Sequence, residues 1–449
     1  KFKTVDYEAT LDMTVRLRDY LPSDHLARFV VEIVSELDLS SIYSQYGERG
    51  GEPYDPPILL ALLFYGYATG TFSSRKIEEK TKRSIPFYYI AGGLHPDHDT
   101  INTFRKDFLA EIKELFVQIL LIAQAAGVLE LGHISLDGSK IHADASKSKA
   151  VSYKGLLELE QKLQAEVAEL LELGQQANQA ELPDGLDISA EIAFRRDRLL
   201  NLSQAKVVLI LRAEARYQAE LAEYEAKVRE REKKEKETGR KPVGRKPKPP
   251  TPGVRDKDQY NFTDPESPIM KNSNNSGFDQ HYNAQVVVTH GSMLIVANRL
   301  SDQPNDKQEA IPTLDAIPTE IGKPDAGAMD NGYFSAINIA VCESRGIEPY
   351  IATGREPHHR SWQDYFKEQQ APPSDEATPK EKMAYKLQTE IGKAIYGLRK
   401  CTVEPVIGII KEVMGFRQFS LRGLLKAAGE WNLVCIGYNL KRMHTLMLG

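Results

Sequence analysis

Two aspartates stand where a buried strand wants an apolar side chain. In HISLDGSKIHADAS, residues 133 to 146, His133 to Leu136 and Ile141 to Ala145 have the apolar and β-branched character of a strand, and Asp137 interrupts them. Asp330 repeats the pattern, closing the apolar run AGAM ahead of NGYFS, whose Asn and Gly favour a turn into a helix. A carboxylate at the end of a strand, with a turn behind it, is placed to face a metal or a substrate. Two of them on neighbouring strands repel unless something positive lies between, and a divalent cation is the natural candidate. Hard cations such as Mg2+ take oxygen ligands, a few carboxylates together with water and substrate phosphates. Two ions about 3.5 to 4 Å apart serve phosphodiester chemistry, activating the attacking oxygen and stabilising the leaving one. That chemistry wants a third carboxylate.

Glu404, in YGLRKCTVEPVIGIIKEVMGF, is the best candidate. Pro405 suits the first turn of a helix and so places Glu404 at its start, with Gly408 and Lys411 at +4 and +7 on nearly the same face. The stripe then holds a ligand, a residue small enough for a backbone to approach, and a cation for a phosphate, with Arg399 just upstream. Glu412 and Glu430 are alternatives, and Glu404 and Lys411 taken alone read equally as two solvated charges. Asp144 points to the opposite face if the first strand continues. The pairs His95/His98 and His358/His359 have no cysteine or carboxylate neighbours at zinc spacing and read as loop residues.

These residues need a scaffold. Residues 57 to 127 read as helices: PPILLALLFYGYATG, opened by Pro56 and Pro57 and closed at Gly70; SSRKIEEKTKRS, with Ser73 or Ser74 as cap; and DTINTFRKDFLAEIKELFVQILLIAQAAG, capped by Asp99 or Thr100 and ended by Gly127. The second carries Arg75, Lys76, Lys80, Lys82 and Arg83, and the third opens with Arg105 and Lys106. Three helices on short turns can present one to a DNA groove, or the charges can be an ordinary solvated face. Residues 155 to 173 and 188 to 228 repeat leucines at helical spacing across the breaker LPDGLD, which predicts an antiparallel helical hairpin. A basic, proline-rich tract from Gly239 to Arg255, containing Arg240 and Arg245, follows; it reads as an extended, mobile linker or a basic arm for the minor groove. Strand signals return at 281 to 289 and 293 to 301, then a helix from about Asp306 to Ile317, the strand ending at Asp330, the strand IEPYIAT and the helix PKEKMAYKLQTEIGKAIYGLRK, a mixed α/β sheet.

At 449 residues, two or three domains are expected. No run of apolar residues is long enough for a membrane span. The opening KFKTVDYEAT lacks the apolar core of a secretion signal, and three widely spaced cysteines without a CxxC pair fit a reducing cytoplasm. A net charge of −5 does not by itself mark a nucleic-acid binder, but the positive charge is segregated into the segments named above.

The stretches LDGSKIHADASKSKAVSY, TDPESPIMK with GFDQHYNAQVVV, MDNGYFS and TVEPVIGIIKEVMGFRQFSLRGLLKAAGEWNLVCIGYNLKRM together resemble the DDE transposases of bacterial insertion sequences. The group resembled is the one numbered eleven-eighty-two, related to the groups numbered four and five, and the likeness extends to PDHDTINTFRKDF near the start. The resemblance implies an RNase H-like α/β fold with Asp137, Asp330 and Glu404 as the metal-binding triad. It makes 1–128 a helical N-terminal DNA-binding domain, 129–148 and 260–449 the two parts of the catalytic domain, and 149–259 an insertion between its first and second strands. Tyr396, Arg399, Glu404 and Lys411 follow the related Tyr, Arg, Glu, Lys signature, with one residue more between Arg399 and Glu404 than its stricter form.

By the same resemblance the chain binds the terminal inverted repeats of its own element, cleaves there with Mg2+ (two ions, with Mn2+ as a substitute) and joins the freed ends to target DNA. The expected partners are double-stranded DNA and a second copy of the chain in the active complex, without a membrane; Tyr396, Arg399, Lys411, Arg75, Lys76, Arg105, Arg240 and Arg245 are the expected DNA contacts, with Lys441 and Arg442 as further phosphate candidates. Two rivals keep the same residues: a relative that binds DNA without cutting, and a nuclease of the same fold without strand transfer.

Overall fold

In the computed structural model, residues 16–47, 53–176, 186–239, 244–272, 277–354, 372–374 and 376–448 are described. By its contacts the chain divides into two units, Lys1–Asp144 with Met270–Gly449, and Ala145–Ile269. The first unit opens with helices α1 (Leu26–Ser35), α2 (Ser40–Tyr43) and α3 (Pro56–Ala68). Pro56 and Pro57 occupy the first turn of α3, where an N–H would have no helical acceptor. Eleven of its thirteen residues are buried, so α3 has no solvent face and must be covered on all sides. Then come α4 (Ser74–Arg83), α5 (Ile85–Ile90), α6 (His98–Asp107) and α7 (Leu109–Ala125). The run expected as one helix over α6 and α7 breaks at Phe108, whose ring stacks on Tyr46. Its cap is Asp97, which accepts from the Thr100 amide at 2.8 Å, in place of the expected Asp99 or Thr100.

Strand β1 (His133–His142) leads into the second unit: β2 (Ala150–Ser152), the long helices α8 (Tyr153–Gln176) and α9 (Ile188–Thr238), and β3 (Gln259–Asn261), which pairs antiparallel with β2. Leu156 and Leu163 of α8 pack on Leu202, Ala205 and Leu209 of α9. The tract expected to be a free linker is tied down over its described part. Arg216 donates to Gly253 O and to both oxygens of Asp258, and Arg255 to both oxygens of Glu220.

The chain returns to the first unit through β4 (Ile269–Lys271), β5 (Phe278–Thr289) and β6 (Ile295–Ser301), followed by α10 (Ala310–Leu314), β7 (Ala326–Met329), α11 (Ala336–Ser344) and β8 (Glu348–Ile351). The helix expected over 306–317 is only a short 3-10 turn and α10. Strands run in the order β4-β5-β1-β7-β8, with β6 also on β5. The central β1 is antiparallel to β5 and parallel to β7, so the sheet is mixed. Last come α12 (Pro379–Lys386), α13 (Glu390–Leu398), α14 (Val403–Gly408) and α15 (Leu424–Leu448).

Helix α15 holds this unit together. Asn439 donates to Ile295 O and accepts from Ile295 N at 2.8 and 2.9 Å, satisfying backbone at the bulge where β6 slips against β5. On another part of α15, Gly437 lies so close to α3 that a β-carbon would fall 2.8 Å from Ala68 N. The described helices of the segment 1–128, read as a domain of its own, therefore share one core with the sheet. Among the described residues no helix is long and apolar enough to cross a membrane.

Arg105 is part of this core and is 4 % exposed. Its guanidinium donates to Tyr67 Oη and to Asn102 Oδ1, each at 2.9 Å, and stands 3.8 Å from the fully buried Glu430 of α15. Glu430 also accepts the amides of Ser420 and Leu421. Both residues are structural: Arg105 has no surface to give to DNA, and Glu430 is no rival to Glu404. Arg105→Ala should cost about 3–5 kcal/mol in urea denaturation by stranding the Glu430 charge, and a loss under ~0.5 kcal/mol would refute the pairing. Gly437→Ala should cost about 1–3 kcal/mol through the clash with α3. Gly408→Ala, where nothing lies within 4 Å of the new β-carbon, should cost nothing and gain about 0.5–1 kcal/mol in the same measurement.

Candidate active site

The register of the central strands sets the site. Leu136 pairs with Met329 in the parallel β1/β7 ladder, so Asp137 and Asp330 follow in step, one inside β1 and one just past β7. Asp330 caps the 3-10 turn Asn331–Tyr333, its Oδ1 accepting from Gly332 N at 2.7 Å. That bond is why the carboxylate turns back at the strand end, as the NG sequence leads one to expect. A β-carbon on Gly138 would lie 2.1 Å from Gln285 Nε2, so a larger residue there would displace the Gln285 amide from Asp306. Burial pushes the Asp137 carboxyl up to about 7; the Arg399 charge opposes this, and the neighbouring Asp330 and Glu404 reinforce it. The Asp330 carboxyl is also raised by burial, against the pull of the Gly332 amide and Arg399.

Arg399 joins the third acid to the first. Its Nη1 donates to Asp137 Oδ2 at 3.0 Å and its Nη2 to Glu404 Oε1 at 2.6 Å. The residue is only 8 % exposed, and its buried Nε has no partner among the described residues. The additional residue between Arg399 and Glu404 is absorbed where α13 gives way to α14. The chain makes a 3-10 turn over Arg399–Cys401 and a kink at Thr402 (φ −120°, ψ −81°), and this returns the guanidinium to Glu404. Thr402 Oγ1 donates to Leu398 O at 2.8 Å and steadies the kink. Tyr396 lies with its ring 5.8 Å from the guanidinium carbon.

Lys411 departs from the expected helical stripe. After Gly408 the helix widens into a π-turn, Ile409–Val413, so Glu404 and Lys411 are not spaced by regular α-helical turns. Lys411 is carried to β1 instead, donating to Ser139 Oγ at 2.9 Å and Lys140 O at 3.4 Å. Burial pulls its ammonium pKa down. By strand alternation Ser135, Asp137 and Ser139 share one face, so Lys411 reaches the same face as Asp137. Gly408 meets no protein neighbour, so the close backbone approach expected there does not occur within the described residues.

Other expected residues fall elsewhere. Arg75 and Lys76 are exposed on α4, and Arg245 is exposed in the second unit. Arg240, His358 and His359 lie outside the described residues. His98 is engaged by Glu78, Glu412 by Arg417 at the surface, and Asp144 by Arg422 beyond the end of β1. Arg442 Nε donates to Ser292 O. Sequence reasoning missed a polar group beside Asp330. Asp306 Oδ1 accepts from Asn283 Nδ2 at 2.7 Å and Gln285 Nε2 at 2.9 Å, and Tyr333 Oη donates to Gln285 Oε1. A β-carbon on Gly332 would touch Asp330 Oδ1 at 2.9 Å and Asp306 Oδ2 at 3.4 Å, so the glycine keeps the two acids' shared space open. The signal was there: Asn283 and Gln285 alternate with Tyr282, Ala284 and Val286 along β5, buried polar residues at period two.

Among the described residues no three His, Cys, Asp or Glu side chains converge closely enough to hold a metal as they stand. The donors themselves suit a hard divalent ion: oxygen only, carboxylate, and partly buried, with Arg399 supplying the positive charge between Asp137 and Glu404. The arrangement can neutralise and orient a phosphate through Lys411 and Arg399 beside a carboxylate cluster.

Comparison with known families matches residues 15–107 to a family model described as a transposase domain (DUF772) and residues 367–444 to one described as a transposase DDE domain. The second stretch contains Tyr396, Arg399, Glu404 and Lys411. The two matches indicate a transposase and support a DDE transposase family; neither spans half of the chain. No curated protein and no solved structure matches the chain.

The raised Asp137 pKa has a sign that can be measured. Between pH 3.8, the ordinary value, and about 7, the folded carboxyl holds a proton that the unfolded one has released. This contribution to stability is therefore complete below the unfolded pKa and disappears as pH rises through the folded one. In a chelating, metal-free buffer the urea midpoint should decline from pH 4 to pH 8, and Asp137→Asn should flatten that decline. An unchanged slope in the variant would show that Asp137 is not the group responsible.

Proposed function

We propose that the chain is a DDE transposase that binds the terminal inverted repeats of an insertion sequence and cuts and joins DNA with Mg2+, using Asp137, Asp330 and Glu404. The observation that carries this reading is the strand register that sets Asp137 beside Asp330, with Glu404 tied to Asp137 through one arginine. The mixed sheet, with Asp137 on its central strand between antiparallel and parallel neighbours, supports an RNase H-like catalytic domain. In that domain the second unit is an insertion in sequence between β1 and the strands that follow.

The three carboxylates would hold the metal, and Mg2+ bound there supplies activation of the attacking oxygen and neutralisation of charge at phosphorus. Lys411, its ammonium fixed to β1 by Ser139, contributes a donor and a positive charge to a non-bridging phosphate oxygen on the face of Asp137. Arg399 offers a guanidinium of the planar, forked kind that recognises phosphate. In the first step water attacks phosphorus, the bond to the 3′ oxygen breaks and that oxygen takes up a proton. In the second the 3′ hydroxyl attacks target DNA, loses its proton, and displaces a 3′ oxygen there. Arg75 and Lys76 on α4 are free to meet backbone phosphates, a sequence-independent and salt-sensitive contribution. Two element ends call for at least two copies of the chain in the active complex.

Asp137→Asn and Asp330→Asn should each lower cleavage of element-end DNA about 100-fold or more while leaving end binding nearly intact. Gel analysis of nicked and joined strands is the readout. Cleavage near the wild-type rate in either variant would overturn the reading, and nicked products that are never joined would turn it towards a nuclease.

A further inference from the structure

The guanidinium of Arg399 stands between two acids that the proposed reaction needs for a metal. It spends one nitrogen on Asp137 Oδ2 and the other on Glu404 Oε1. A cation gripped by those same oxygens must take its place, because the two cannot share the oxygens and would repel each other. On this ground we propose that Arg399 is an exchangeable counter-ion, bridging Asp137 and Glu404 in the free protein and yielding them to the divalent ion when a DNA phosphate offers the guanidinium another anion. The inference rests on the transposase reading and adds the order of events: DNA first loosens the arginine, and metal then loads.

Three independent features favour exchange over a permanent strut. The bridge is incompletely satisfied, since Nε of Arg399 is buried without an acceptor among the described residues, and a phosphate oxygen supplies one. One end is open to solvent: the Glu404 side chain is 45 % exposed, against 18 % for Asp137. The arginine also sits at a backbone discontinuity, the 3-10 turn Arg399–Cys401 and the Thr402 kink between α13 and α14, where a side chain can swing without unwinding a helix. Arg105 is the contrast. It shares the unpartnered Nε but neither of the other features: its two terminal nitrogens lie on Tyr67 and Asn102 beside a fully buried acid, and it sits within α6, so it has no such exit.

Calorimetric titration of the full chain with Mn2+, which also reports on protein that cannot cut DNA, separates the possibilities. Arg399→Gln should bind Mn2+ about tenfold more tightly than the wild type when no DNA is present. Adding a short duplex should tighten the wild type and close that gap. Equal or weaker Mn2+ binding by Arg399→Gln overturns the exchange, and a gap that persists with duplex overturns its coupling to DNA. Arg399→Lys, which keeps a charge but cannot fork onto two carboxylates, should fall between the two; it serves in place of the glutamine variant if that one fails to fold. Asp137→Asn should lose the binding altogether. If it binds Mn2+ like the wild type, the ions are elsewhere and the transposase reading falls with this one, whereas loss there combined with no effect at Arg399 sinks only the exchange.

Discussion

Carboxylates held side by side in a sheet repel one another, and burial removes the water that would screen them. Asp137 and Asp330 meet that condition because β1 and β7 are parallel and in step up to the residue before each acid. Glu404 adds a third negative group from a different part of the chain. The cluster is tolerable only with a cation among its members, and in this molecule the protein supplies one itself. Arg399 is the counter-charge, and the helix break that aims it is as much part of the site as the acids are.

The scaffold is built to keep that arrangement fixed. Parallel neighbours on one side and antiparallel ones on the other make β1 inaccessible along both edges, so its register cannot slip without turning Ser135, Asp137 and Ser139 to the opposite face. The helices before the sheet do not form a separate module. Helix α3 is apolar all round, and α15 covers it at a distance that only Gly437 allows, while Asn439 on the same helix binds the irregular backbone of β6. The Arg105–Glu430 pair lies within this contact. The N-terminal helices and the sheet therefore belong to one contact unit.

How much of this was legible in the sequence follows from how local each signal is. A carboxylate in an apolar strand stands out from its immediate neighbours, and Asp137 and Asp330 could be read at once. The mixed sheet and the long leucine-rich helices of the second unit were also visible, because strand and helix periodicities are local. The role of Arg105 was not, since whether an arginine is solvated or buried depends on an acid brought from the far end of the chain. Lys411 was misplaced on a regular helical stripe because nothing in IGIIKEV announces a π-turn. Asn283, Gln285 and Asp306 were overlooked although the alternation was present, as their meeting requires the turn after β6 to fold back on β5.

The two cations at the site illustrate why lysine and arginine are not equivalent here. Lys411 is a point charge whose ammonium is already spoken for by Ser139 and the Lys140 carbonyl on β1. Its bonds to β1 hold its ammonium on the face of Asp137 without using any of the three acids. Arg399 is held by its planar fork to two side chains, one of them half open to water, and by no backbone carbonyl among its described partners. One positive group is thereby rigid and the other conditional. A site whose acids are to receive a stronger cation needs this division: a charge that stays to orient phosphate, and a charge that compensates the acids until it is replaced.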